Sequence, residues 1–309
     1  MGFPAGAVVF AEVTRILALL ATLNLAACRP PVPEASSPVV GPGRYDRTMS
    51  VDGVQRKYLL VVPEGYSAGR SAPLIVLLHG YSSNGPQIAA YSRLAKLADR
   101  DGFILAAPTG MGRVNGWNCG FANLGARGVD DIKFVGELMT KLEAELAVDP
   151  KRIYVAGHSN GAMLSYAVGA AYSDRVAALG IVAGSNGVDL PHFKRTVPAP
   201  KQPVSAIIFH GTNDRLLPYN AGSNSKCLYL NPLGSAILWA RGDGITADSK
   251  QTTLGDSGSA IQWSGNSADV ELVTVNGGNH MWPGAPGSTG KGIDATELML
   301  DFFKTHPKR

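Results

Sequence analysis

From Arg56 onward, short apolar runs alternate with stretches whose apolar residues recur at helical spacing. The runs at 58–62, 74–78, 103–107, 153–156, 179–183, 206–209 and 270–275 are nearly continuous in Val, Ile, Leu, Ala and Phe. They are too short for helices, and unbroken apolar character is what a strand buried on both faces needs. Between them, 87–100, 131–146, 162–171, 233–241 and 296–304 carry the spacing of amphipathic helices. This alternation predicts a mostly parallel central sheet with helices on both faces, built as one domain over 44–309. Asp294 with Glu297 three residues later predicts a capping pair for the last helix. Residues 242–268 are rich in Gly, Ser, Thr and Asp, which predicts a surface excursion with a hairpin around 261–263. The segments after Ala183 and after Asp214 are too short for a large lid domain, so an open cleft is expected.

The N-terminal segment has a different pattern. Arg15 precedes an apolar run over 16–27, too short to span a bilayer but suited to the core of a signal peptide. It ends Leu25-Ala26-Ala27-Cys28, similar to a bacterial lipobox, so 1–27 is expected to be removed and Cys28 to become an acylated lipid anchor. An ordinary signal peptide that happens to end in cysteine is the alternative. Residues 28–43 hold Pro30, Pro31, Pro33, Pro38 and Pro42, a composition that tethers but does not pack. The expected location is therefore outside the cytoplasm, either membrane-anchored or secreted. Cys119 and Cys227 are then a possible disulfide, with two free thiols the alternative.

A net charge of +4 over 309 residues is spread along the chain without a basic cluster, which argues against a nucleic-acid partner. Candidate chemistry comes instead from two G-x-S-x-G pentapeptides, whose glycines permit a tight turn that exposes a serine. Gly65-Tyr66-Ser67-Ala68-Gly69 runs into a new strand, which makes Ser67 a loop residue. Gly157-His158-Ser159-Asn160-Gly161 lies between a strand and a helix, the context a serine nucleophile needs. Two later strands end in His210-Gly211-Thr212-Asn213-Asp214 and Asn276-Gly277-Gly278-Asn279-His280. Both turns fall at the strand ends where open α/β sheets bind ligands. Ser159 is thus the expected nucleophile, His280 its base and Asp214 the group that orients the base. The backbone N–H groups of Asn160 and Tyr81 are the expected oxyanion hole. His79 and His210 are expected to satisfy neighbouring polar groups rather than to react.

Several further segments accompany this set: Leu78-His79-Gly80, Ala106-Ala107-Pro108, Gly116-Trp117-Asn118, Val129-Asp130-Asp131 and Gly278-Asn279-His280-Met281-Trp282-Pro283-Gly284. With them, the chain from about Tyr45 to Phe303 resembles the bacterial polyhydroxybutyrate depolymerase and feruloyl esterase family, relatives of carbohydrate esterase family 1. The resemblance implies an α/β-hydrolase fold and ester hydrolysis through a serine acyl-enzyme, with no cofactor and no metal. Implied substrates are feruloyl or acetyl esters of polysaccharide, or polyhydroxyalkanoate and other polyesters. It also implies that Trp117 and Trp282 flank the acyl pocket, with ordinary core tryptophans the alternative, while Asp130 and Asp131 anchor their helix. Tyr81 stands where a small residue or cysteine is frequent, and Cys227 matches no fixed family cysteine. A serine peptidase of the same fold and a non-catalytic binding protein on a hydrolase frame are the alternatives.

Overall fold

The computed structural model describes residues 41–190, 193–220 and 229–309. The expected signal peptide, Cys28, most of the tether and Cys227 lie outside the described residues. The main sheet has ten strands: β1 (Gly43–Val51), β2 (Val54–Val62), β3 (Ala72–Leu78), β4 (Ile104–Pro108), β5 (Val148–His158), β6 (Val176–Val182), β9 (Ser205–Gly211), β10 (Lys250–Thr253), β11 (Gly258–Ser264) and β12 (Asp269–Val275). A separate hairpin pairs β7 (Gly187–Leu190) with β8 (Phe193–Thr196). The spatial order is β1-β2-β4-β3-β5-β6-β9-β12-β11-β10. The six strands from β4 to β12 pair in parallel, with antiparallel hairpins at both edges.

The continuous apolar runs have the expected cause. In β3 every residue is buried; Leu74, Val76 and Leu78 face one layer, while Ile75 and Leu77 face the other. Each such side chain, fully withdrawn from water, contributes about 1.5–3 kcal/mol. The first layer is closed by α3 (Asp131–Glu145), α4 (Asn160–Ala171) and α5 (Pro232–Gly242). The second is closed by α1 (Gly85–Tyr91), α2 (Leu94–Arg100) and α6 (Ala295–Thr305). The fold is therefore of the α/β-hydrolase class, and no large lid stands over the strand ends among the described residues.

The single helix expected over 87–100 is two. Ser92 Oγ donates to Ile88 O and accepts from Leu94 N–H, and Arg93 takes a left-handed φ of 61° between the helices. This turn lets the Arg93 guanidinium pair with Asp294, the N-cap of α6. Asp294 caps as expected, accepting from Thr296 and Glu297 N–H, but Glu297 turns away to Arg100 rather than closing a reciprocal pair. Gly43, expected to be the last tether residue, already pairs with Val62 as the first residue of β1. The excursion at 242–268 does hold a hairpin, β10 with β11.

Candidate active site

The strand β5 passes into α4 through Gly157-His158-Ser159-Asn160-Gly161. Ser159 holds φ 53° and ψ −118°, a conformation that costs a side-chain-bearing residue about 1–3 kcal/mol. The turn survives because its glycines allow strand and helix to approach. A Cβ on Gly157 would strike the backbone of Gly161, and one on Gly161 would strike the carbonyls of Leu78 and His79. Ser67 lies between β2 and β3, at the opposite rim of the parallel strands, in a turn closed by Arg70 N–H donating to Ser67 O.

Asp214 follows β9 and His280 follows β12, so both reach the rim that carries Ser159. His280 Nε2 is 2.9 Å from Ser159 Oγ, and His280 Nδ1 is 2.7 Å from Asp214 Oδ2. A carboxylate only accepts, so Nδ1 carries the proton and the Nε2 lone pair faces the serine hydroxyl. The other Asp214 oxygen accepts from Leu216 and Leu217 N–H, each at 2.9 Å. Burial pushes the Asp214 carboxyl up, but hydrogen bonds from His210 and His280 outweigh it and hold the group well below the usual carboxylate range. Its charge is therefore present under the imidazole at neutral pH.

The loop after β3 lies against the serine turn, since a Cβ on Gly80 would sit 3.5 Å from Ser159 Cβ. Asn160 is the first residue of α4, so its N–H has no acceptor within the helix. Its side chain turns away and grips the next loop: Oδ1 accepts from Trp117 N–H at 2.8 Å and Nδ2 donates to Trp117 O at 3.2 Å. His79 accepts from Gly110 N–H at Nε2 and donates from Nδ1 to Gly80 O. Burial drives its pKa down to about 4, so it stays neutral and braces the two loops.

Residues 56–190 match the family model of the esterases termed PHB depolymerase. Feruloyl esterase B of Piromyces equi is 30% identical over 234 residues; these cover 73% of this chain, which spans only 42% of that protein. Feruloyl esterase C of Emericella nidulans is 27% identical over 296 residues, 92% of this chain and 97% of its own. The chain is similar to the PHB depolymerase esterases and to the feruloyl esterases. Acetyl xylan esterase from Aspergillus awamori shares the fold of this esterase, with a TM-score of 0.62 at 17% identity over 85% of this chain and 99% of that one.

The esterase departs from the sequence reading at the two tryptophans. Trp117 and Trp282 are fully buried, so neither offers a face to an acyl group. Trp117 Nε1 donates to His79 O, and Trp282 Nε1 donates to Thr296 Oγ1. Each indole found a partner inside and was drawn into the core behind the loop it was expected to line. Tyr81, Leu216 and Met281 are exposed instead, by 49%, 71% and 36%, each close in sequence to a member of the site. Cys119 is a buried free thiol that donates to Ala122 O, and the partner considered for it, Cys227, is outside the described residues. Asp130 caps α3 by accepting from Lys133 N–H, and Asp131 makes a buried 2.6 Å pair with Arg56.

His158 is a residue that sequence reasoning passed over. Its Nε2 donates to His280 O at 2.7 Å, tying the serine turn to the histidine loop. Burial, and then the neighbouring His280, lower its pKa to about 4, so it holds that bond as a neutral ring. Its place as the second residue of the G-x-S-x-G turn is the only signal the sequence offers.

Proposed function

We propose that this esterase cleaves carboxylic esters through an acyl-enzyme on Ser159, with His280 as general base and Asp214 holding the imidazole. The observation that carries the reading is the unbroken chain from Asp214 Oδ2 through His280 to Ser159 Oγ. In the first half-reaction the Ser159 proton passes to His280 Nε2 as Oγ attacks the ester carbonyl. The N–H groups of Asn160 and Tyr81 donate to the oxyanion; one such donor is worth about 10²–10³ in rate. Collapse expels the alcohol with the proton from His280, and water repeats the sequence to release the acid.

For the substrate we infer feruloyl or acetyl esters of polysaccharide, outside the cytoplasm. The names of the relatives support this, as do Tyr81, Leu216 and Met281, exposed apolar side chains close in the chain to members of the candidate site, which suit an aromatic acyl group. Export rests on the apolar run at 16–27 and on Cys28. The test is a hydrolysis panel of 4-nitrophenyl acetate, methyl ferulate and polyhydroxybutyrate emulsion with wild type and Ser159→Ala. The expected outcome is turnover of the first two by wild type, falling by at least about 10³-fold in the variant. Retained turnover in Ser159→Ala would remove Ser159 from the mechanism.

A further inference from the structure

Beside the loop that carries Tyr81 runs a groove of about 970 Å³ whose lining includes Thr48, Gln55, Lys57, Gln87 and Thr109. Its origin is a half-covered sheet face. In the β1–β2 hairpin, Asp46 pairs with Leu59, Thr48 with Lys57 and Ser50 with Gln55, so these residues share one side. The short helix α1 covers Leu59 through Ile88 and then ends its reach. The polar remainder of the face stays bare, forming one wall with α1 opposite and the turn after β4 at the end. Thr109 N–H donates to Lys57 O, and Asn115 joins the two loops by accepting from Ser82 N–H and donating to Ser83 O. The groove therefore ends against the loop pair that holds the candidate oxyanion donor.

The strand order puts this groove on the catalytic rim. β3 lies between β4 and β5, all three are parallel, and Thr109 and Ser159 both follow the C-terminal ends of their strands. Neighbouring strands are about 4.8 Å apart, so the turn after β4 lies about 10 Å from the serine turn along the rim. That is the span of a polymer continuing away from its scissile ester. We propose that the groove binds the main chain of a hydroxyl-rich glycan whose ester enters the serine site, a proposal that rests on the esterase reading above.

The chemistry of the lining favours this occupant. The side chains of Thr48, Gln55 and Lys57 are exposed and make no hydrogen bond or ion pair among the described residues. Together they offer donors and acceptors side by side, which suits hydroxyls that both give and take hydrogen bonds. A polyester has carbonyl and ether oxygens but no donor, so the acceptors of this lining would be left without partners against it. Tyr81, Leu216 and Met281, the exposed apolar residues close in the chain to the candidate site, are not among the residues that line this groove.

The experiment compares a xylo-oligosaccharide carrying one feruloyl ester with methyl ferulate, using the full chain, Lys57→Ala, Gln55→Ala and Thr48→Trp. The acyl group is the same in both, so a difference belongs to the alcohol side. The expected result is a drop of about tenfold in kcat/KM on the oligosaccharide with methyl ferulate unchanged. Equal loss on both esters, or no loss on either, would overturn the proposal. Titrating unesterified xylo-oligosaccharide into Ser159→Ala reads the groove without chemistry, and no saturable binding would also overturn it. A chain that hydrolyses neither ester yet binds the sugar, with binding weakened in Thr48→Trp, would sink the esterase reading and leave the groove standing.

Discussion

At the scale of single residues, the site depends on neutral histidines as much as on the triad. Among the described residues, His158 is the side chain that links the serine turn directly to the backbone of His280, through a 2.7 Å hydrogen bond. Removing it frees the histidine loop to drift, and a misplacement of about 1 Å can cost about 10²-fold in rate. His158→Ala is expected to lower kcat by about tenfold or more with KM little changed. His158→Gln, which retains an N–H donor, should recover part of the loss. Steady-state kinetics on 4-nitrophenyl acetate reads this directly, and an alanine variant with unaltered kcat would remove the positioning role. His158, Trp117 and Trp282 also mark where sequence reading stopped. Their proximity to the site could be inferred from the motifs, but which side of the loop each faces depends on His79 O, Thr296 and His280 O, partners brought close only by the fold.

Among the elements, the C-terminus of α5 carries a tension that has nothing to do with catalysis. Asp243 caps that end, with Oδ1 accepting from Val204 N–H and Oδ2 buried without a partner. Burial raises its carboxyl pKa to about 7, and a helix C-terminus is itself unfavourable to a negative group. The folded chain keeps a proton that the unfolded chain releases at pH about 4. Stability from this group is therefore fully present below that pH, falls as pH rises from about 4 to about 7, and is flat above. Asp243→Asn keeps the Val204 bond and removes the titration. Its melting temperature relative to wild type should improve from pH 5 to pH 8, by the equivalent of about 1–2 kcal/mol after solvent screening. An offset that is the same at both pH values would contradict this. The elements that sequence analysis missed have a common cause. β1 alternates polar residues with Tyr45, Arg47 and Met49, so its partner face is only half buried. The break at Arg93 is shaped by the Ser92 side chain and joined by a pair with Asp294, distant in the chain, neither of which the apolar spacing shows. The buried strands, whose signal is local and apolar, were legible.

Over the whole molecule, the three side chains of the candidate triad hang from β5, β9 and β12, which lie within four consecutive positions of the sheet order. The ordered turns after apolar runs made this convergence readable, because sheet topology sends each such turn to one rim. The N-terminal segment was readable only as composition, and the prediction there is cellular. Cys28→Ala should move the protein from the membrane fraction to the soluble exported fraction, followed by immunoblot after fractionation. Retention in the membrane fraction would count against acylation. A last consequence concerns the ionic surroundings of the site. The Asp214 side chain has no solvent exposure, and its charge is enclosed by His210, His280 and two backbone N–H groups. Dissolved salt shortens the Debye length from about 10 Å at 0.1 M to about 3 Å at 1 M, but it weakens buried pairs far less than exposed ones. Turnover at saturating substrate should therefore hold steady from fresh to brackish conditions. Salinity would act on how readily substrate is captured, not on how fast a captured ester breaks.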